Sequence, residues 1–471
     1  MSQESRKACD LLLLNGTVIT MDRSRQIFEL GGVAIEGGRI VGVGPADQFS
    51  SWEARRVVDC RGSAVLPGLV DCHNHLFQSL SRGLGDGMSL WGWLTGLIWP
   101  YAAHINREEA RAAAMLASVE AARAGTTSLL DNHYSPADAE TTMTIAGAMV
   151  EVGLRGVVAR GIFGPMTDVA RKRRLPEMLF RYTADEEIAE TLTCMEAYPA
   201  GGRVEIWPAP INPTYVDPDL LRRAVELASD GGARWHSHCS ETPVDSEISI
   251  ESHGLRPIEW LDRQGLLKGG TLAHGIWLSD GEIRSLADNG AGISHCPVAN
   301  QYLASGVMRL KDLRDSGVVV GLGTDGPAGG QRQDIFECMK ATVLLQRVNT
   351  LDPKIARAED ALELATVGGA RLLGIDAGEL TPGKLADVTV VDLTGAHMTP
   401  LHRVVPALAY SARGADVRMT IVEGEVIFEN GRCTRVDEDA ILHEAGVRAA
   451  ELARRSGVGK STSHWVTTGR A

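Results

Sequence analysis

The sequence is short of the features that mark several common protein classes. Its eight cysteines stand singly, with no Cys-x-x-Cys pair and no framework spacing, which argues against a disulfide scaffold and suits a reducing cytoplasm. The longest aliphatic run near the start covers residues 11–14, far too little for a signal core or a membrane span. Basic clusters are scarce as well. Beyond Arg171, Lys172, Arg173 and Arg174, no Lys/Arg patch offsets the formal charge of -13, and that balance opposes a phosphate-rich partner. Neither nucleic acid nor membrane is therefore expected as a partner. The spacing Gly42-x-Gly44 runs into Pro45 with no helical pattern behind it, so it is not a dinucleotide fingerprint.

What is present is a change of texture along 471 residues, more than one hydrophobic core usually holds. With 44% hydrophobic and 23% charged residues the chain is ordinary for a globular protein, so a large domain and a smaller one are expected. Residues 1–66 read as short strands, with Asn15-Gly16 and Gly37-Gly38 as hairpin punctuation. From 67 to 378, buried-strand candidates near 67–72, 126–130, 155–161, 203–209, 233–238, 271–274, 291–295 and 317–323 alternate with helical patterns such as 107–124 and 218–228. Eight strands with intervening helices predict a (β/α)8 TIM-type barrel, closed by a helix over 358–373. In residues 379–456 strands return at 387–391 and 419–428, followed by a C-terminal helix. The two β-rich ends are expected to meet in one small β-sandwich domain. The tail 457–471, rich in Ser, Thr and Gly, is expected to be loose.

The chain is organised around residues 67–78, PGLVDCHNHLFQ, where an apolar run containing Val65, Leu66, Leu69 and Val70 reads as one buried strand ending in His73 and His75. Side chains two apart leave a strand on the same face, so these imidazoles can converge on one ion. An H-x-H alone describes incidental histidines equally well. Partners at later strand ends change that: His236, His238 and Glu241 end the fifth strand, His274 the sixth and Asp325 the eighth. His238 is nearer the barrel mouth than His236, so His238 is the expected ligand and His236 a lower-lying or structural group. Three neutral imidazoles and a carboxylate suit one divalent metal, Zn or Fe(II), with a position left for a water whose pKa the cation lowers towards neutrality. Glu241 is the candidate proton shuttle, with His274 and Asp325 orienting or deprotonating that water.

PGLVDCHNH, HSHCSET, TLAH and GLGTDG, in this order and spacing, resemble the amidohydrolase superfamily, in particular its mononuclear aminohydrolase branch with cytosine deaminase, adenosylhomocysteine deaminase and the s-triazine hydrolases. The likeness covers nearly the whole chain, including GELTPGKLADVTVVD near its end. It implies a metal held by His73, His75, His238 and Asp325, with Glu241 and His274 acting on water and substrate. Binuclear relatives carry a carboxylated lysine at the end of the fourth strand; here Trp207-Pro208-Ala209-Pro210-Ile211 has none, which implies one metal.

The expected activity is hydrolytic deamination of a nitrogen heterocycle such as an aminotriazine or a purine- or pterin-type base, by a homo-oligomer. Gln78, Trp91, Asn132, His133 and Asn300 are candidate substrate contacts, although tryptophans there would equally seal the loop after the first strand. Relatives often read GTDGxxSNND after the last strand, whereas this chain runs from Gly326 through Arg332 to Asp334 without the paired asparagines, which sets Arg332 near the pocket. Nucleoside deaminases of the branch typically carry W-P-x-E in the first loop, its glutamate holding the ribose; Trp99-Pro100-Tyr101-Ala102-Ala103 lacks that carboxylate. A free base is therefore expected over a ribonucleoside, with Arg155 or Arg160 as alternative sugar contacts. Hydrolysis of a urea, a carbamate or a ring C–Cl bond would use the same site. A non-catalytic ligand-binding barrel would be favoured only if a metal-site position were replaced, and none is. The cytidine-deaminase type of zinc site wants H-x-E and P-C-x-x-C, and neither occurs.

Overall fold

A computed structural model describes residues 7–458 of the chain; most of the tail expected to be loose lies outside them. Eight parallel strands form the barrel: Leu69–Asn74, Thr126–His133, Arg155–Ile162, Val204–Pro210, Trp235–Cys239, Gly270–His274, Gly292–His295 and Val319–Leu322. The first four and the last four pair as two continuous ladders. Hydrogen bonds at the mouth bridge the two seams, from Asp325 N to His73 O at 2.9 Å and from His238 N to Ile211 O at 3.3 Å. Both seams thus end on residues of the H-x-H and Asp325 motifs.

Local chemistry sets the intervening helices. Arg107–Arg123 opens on a reciprocal capping box between Asn106 and Glu109. Pro218–Asp230, Pro243–His253 and Pro257–Arg263 each begin with proline, whose missing N–H costs nothing in a first turn. The closing helix over 358–373 is interrupted by a π-type turn, Leu364–Gly368. Gly368 and Gly369 let that turn press directly on Val320 and Val70 of the barrel floor, where a side chain would collide.

Three expectations about the ends need correction. The apolar run before His73 is two strands in two sheets. Ser63–Pro67 belongs to the small sheet and Leu69–Asn74 to the barrel, with Gly68 between them against the Thr127 side chain, where no Cβ fits. Asn15-Gly16 is not a hairpin but a bulge inside the strand Ala8–Ile19, with Asn15 at φ 65. Up to the bulge this strand pairs in parallel with Glu53–Asp59, and beyond it with Ser63–Pro67. The 419–428 segment is a hairpin, Val417–Val422 with Glu425–Glu429.

The nine-stranded small sheet joins the two chain ends through Ser63–Pro67 and Val388–Asp392, Val65 opposite Val390. Its halves share a core of Leu13, Ile35 and Ile40 with Val388, Met419 and Ile421. Arg155 on the third barrel strand reaches Asp387 at 3.0 Å, a buried ion pair tying barrel to sheet. The helix Glu438–Ser456 crosses back to the barrel, its Arg455 reaching the His104 carbonyl at 2.8 Å. Among the described residues, no helix is long and apolar enough to cross a membrane.

Candidate metal centre and active site

Three of the four strands that carry site residues, the fifth, sixth and eighth, end in a left-handed backbone turn at the barrel mouth. Ser240, His274 and Asp325 all have positive φ, at 54°, 72° and 62°. Non-glycine residues pay about 1–3 kcal/mol each for such conformations, and they persist where the surroundings over-determine them. Beneath them Asp71 accepts from Thr324 N at 3.0 Å and from Asn74 Nδ2 at 2.9 Å, locking the first strand to the eighth. Gln333 joins this lock by accepting from Asn74.

The imidazoles of His73, His75 and His238 place one nitrogen each within 4.8 Å of one another, and a nitrogen each of His73 and His274 lies as close to a carboxylate oxygen of Asp325 and to each other. His75 Nδ1 donates to the Asn132 carbonyl at 2.7 Å, and His238 Nδ1 to the Ile211 carbonyl at 3.1 Å. With both protons committed, the two Nε2 lone pairs face each other at 3.1 Å. Buried lone pairs so close repel unless a cation or proton lies between them. His73 Nε2 is buried with no hydrogen-bond partner, and Asp325 Oδ1 stands 3.5 Å from both His73 Nε2 and His75 Nε2. Burial and the crowding of imidazoles hold His73 and His75 well below their ordinary pKa, and burial, then His274, takes His238 to about 3. Neutral imidazoles with a carboxylate are the donor set a divalent cation requires.

Glu241 lies alongside. Its Oε1 accepts from Ser305 Oγ at 3.0 Å and its Oε2 is 3.5 Å from His274 Nε2. Burial pushes this carboxyl up to about 7, with Asp325 and Asp245 adding and His274 opposing. At His274 burial pulls the pKa down, but Glu241, Asp325 and the Asn300 side chain outweigh it and the net shift is upward.

The cleft above these groups is walled by Trp91, Trp93, Trp99, Tyr134, Phe163 and Tyr215. Gln78 lines it, its Oε1 buried without a partner, and so does Trp91, whose Nε1 is likewise unpaired. The other three candidate contacts lie outside the wall. Asn132 gives its carbonyl to His75 and its Nδ2 to the Ala159 carbonyl at 3.1 Å. His133 bonds the Pro136 carbonyl at 2.6 Å, because alternation turns it away from the mouth. Asn300 Oδ1 accepts from His274 Nδ1 at 3.0 Å, so it meets the imidazole and not the cleft.

Arg332 also departs from expectation. It is exposed and pairs with Glu337 at 2.8 Å, while Gln333 turns inward in its place. Neither alternative sugar contact reaches the cleft: Arg155 is held by Asp387, and Arg160 by Glu187 at 2.7 Å. Sequence reasoning missed Asp245 and Ser305. Asp245 lines the cleft and also accepts from Thr242 N at 2.9 Å, so the Thr242-x-x-Asp245 box was its available signal. Ser305 had only its place in Leu303-Ala304-Ser305-Gly306-Val307 to mark it.

A family model, the amidohydrolase family, matches residues 64–427. The chain belongs to the amidohydrolase family. It is accordingly a hydrolase of C–N bonds other than peptide bonds. As an amidohydrolase it is 36% identical to a 5-methylthioadenosine/S-adenosylhomocysteine deaminase of Natronomonas pharaonis, over 89% of this chain and 93% of that one. It is 37% identical to a 5'-deoxyadenosine deaminase of Methanothermobacter thermautotrophicus, over 90% of this chain and 95% of the relative. Among solved structures, a zinc-bound adenosine deaminase from Xanthomonas campestris superposes with a TM-score of 0.88 at 29% identity, covering 95% of this chain and 99% of the other. A zinc complex of atrazine chlorohydrolase from Arthrobacter aurescens gives 0.85 at 25% identity, covering 93% and 100%.

Proposed function

We propose that this amidohydrolase is a metal-dependent deaminase that replaces an amino group on a planar, purine-type nitrogen heterocycle by oxygen. The observation that carries the reading is the confrontation of His75 Nε2 and His238 Nε2 at 3.1 Å, beside a buried carboxyl, Glu241, poised near neutrality. His73, His75, His238 and Asp325 would hold one divalent metal, Zn or Fe(II). When bound, such an ion lowers the pKa of a water and so supplies a nucleophile near pH 7. Among the described residues no lysine lines the cleft, which supports a single ion.

The remaining work falls to side chains. Asp325 takes a proton from the attacking water, while Asn300 fixes the His274 ring so that its Nε2 faces the reacting carbon and Glu241. Ser305 holds one Glu241 oxygen, leaving the other to carry a proton to the departing nitrogen, which leaves as ammonia. The tryptophans and Tyr134 sandwich a flat ring and exclude water. Gln78 Oε1 and Trp91 Nε1 offer the ring one acceptor and one donor. Eight free, buried cysteines support a cytoplasmic setting.

The substrate we favour is the free base. The segment Trp99–His104 offers the cleft no carboxylate: Tyr101 is tied to the Phe77 carbonyl at 2.6 Å and Ala102 is buried. The acids lining the cleft, Glu241, Asp245 and Asp325, cluster around His274. A ribose would leave hydroxyls unpaired at about 1–3 kcal/mol each, enough to favour bases by one to two orders of magnitude. The names of the relatives favour a second reading, an adenosine-type nucleoside. Metal-loaded enzyme assayed on aminopurines, aminotriazines, adenosylhomocysteine and methylthioadenosine, with ammonia, amine and halide all measured, separates them. Ammonia with highest kcat/KM on a base is expected. A preference for either nucleoside overturns the free-base reading, and halide or amine without ammonia overturns deamination.

A further inference from the structure

His236 was left without a role by its position below the mouth, yet it is fully buried and its Nε2 lies 2.9 Å from His73 Nδ1. Four imidazoles at the mouth turn Nε2 towards the cluster, and each is anchored through Nδ1. For His75, His238 and His274 the anchor is an amide oxygen, from Asn132, Ile211 and Asn300, which only accepts. When neutral, those three rings carry their proton on Nδ1. His73 is the exception, since its anchor is another imidazole, which donates or accepts according to its own tautomer. Were His236 to donate, the His73 proton would sit on Nε2, the atom that lacks any partner and stands 3.5 Å from Asp325 Oδ1.

The ligand geometry decides between the two states. A nitrogen of His73 lies in one cluster with His75 and His238, and its Nε2 stands 3.5 Å from Asp325 Oδ1; that atom can hold a cation only through its lone pair, which puts the ring's proton on Nδ1. His236 Nε2, at 2.9 Å, is then the acceptor, and His236 keeps its own proton on Nδ1. We infer that His236 is a positioning residue for the metal centre: it accepts the His73 Nδ1 proton and so fixes the tautomer that leaves His73 Nε2 free for a divalent cation. This rests on the reading of His73 as a ligand. Partners that orient a ligating imidazole in this way typically change metal affinity 10- to 100-fold when lost.

The test uses full-length protein, stripped of metal and titrated with zinc against a competing chelator. His236→Leu, which keeps bulk but cannot accept, is expected to weaken zinc binding by about 10- to 100-fold. His236→Gln, whose carboxamide oxygen accepts, recovers most of it, with metal-free unfolding midpoints alike for the two variants. Wild-type affinity in His236→Leu overturns the inference, and so does a His236→Gln variant as weak as His236→Leu. His73→Ala is titrated alongside: if it keeps zinc, the ligand reading itself fails; if it loses zinc while both His236 variants bind normally, only the positioning role fails. Should the variants misfold, nitrogen NMR of imidazole-labelled, metal-free wild type reads the tautomer directly. A proton on His73 Nδ1 is the expected result, and one on Nε2 overturns the inference.

Discussion

Two carboxylates show how burial sets what a residue can do. Burial pushes the Glu241 carboxyl up to about 7 and its Oε2 stands 3.5 Å from His274 Nε2, so under the proposed mechanism Glu241→Gln keeps shape while removing the exchangeable proton. Metal content is expected to stay at the wild-type level while kcat falls at least about a hundredfold, measured by metal analysis and steady-state ammonia release. Near-normal turnover would move the shuttle elsewhere. Asp131 is buried below the site, its Oδ1 accepting from Leu76 N at 2.8 Å and its Oδ2 unpaired. Burial pushes its pKa up to about 7, with the Leu76 amide opposing. A raised folded-state value means that stability is full at low pH and is lost as pH rises through about 7. Asp131→Asn keeps the acceptor without the charge. The metal-free variant is expected to be more stable than wild type at pH 8, by up to about 4 kcal/mol, with the gap closing towards pH 4. Parallel pH profiles of the unfolding midpoint would contradict this.

At the scale of elements, the junction at Gly68 carries the clearest consequence. The chain passes from the small sheet into the barrel within one residue, and Gly68 N is held by the Asp387 carbonyl at 2.9 Å. A methyl group there would strike Thr127, so Gly68→Ala is expected to cost about 1–3 kcal/mol in urea unfolding, part of it recovered by Thr127→Ala. Unchanged stability in Gly68→Ala would contradict the packing described. The same junction shows why some elements were legible and others not. Barrel strands buried on both faces read as short apolar runs between helical patterns, and four of them, the first, fifth, sixth and eighth, also stop at polar site residues. Val65 to Val70 is apolar on both sides of Gly68, and periodicity carries no sign that a run changes sheets. Asn15-Gly16 has the composition of a hairpin, and only long-range pairing makes it a bulge. For the site, strand alternation and spacing brought out the imidazoles and carboxylates. Asn132, His133 and Asn300 were misplaced because their orientation depends on partners, Ala159, Pro136 and His274, that lie 27, 3 and 26 residues away.

For the whole molecule, the barrel mouth gathers donors from strands one, five, six and eight, and the sheet built from both chain ends braces the opposite side through Arg155 and Asp387. Function on this account is a property of closure: only a closed barrel brings His75 and His238, 163 residues apart, to 3.1 Å. The convergent donors are proposed to hold one metal that deamination requires. The most direct measurement is ammonia release from an aminopurine base by full-length enzyme as purified, after chelation, and after one equivalent of Zn or Fe(II) is restored. Activity is expected to disappear with the metal and to return at a stoichiometry of one per chain. Ammonia release that persists in metal-free enzyme would contradict it.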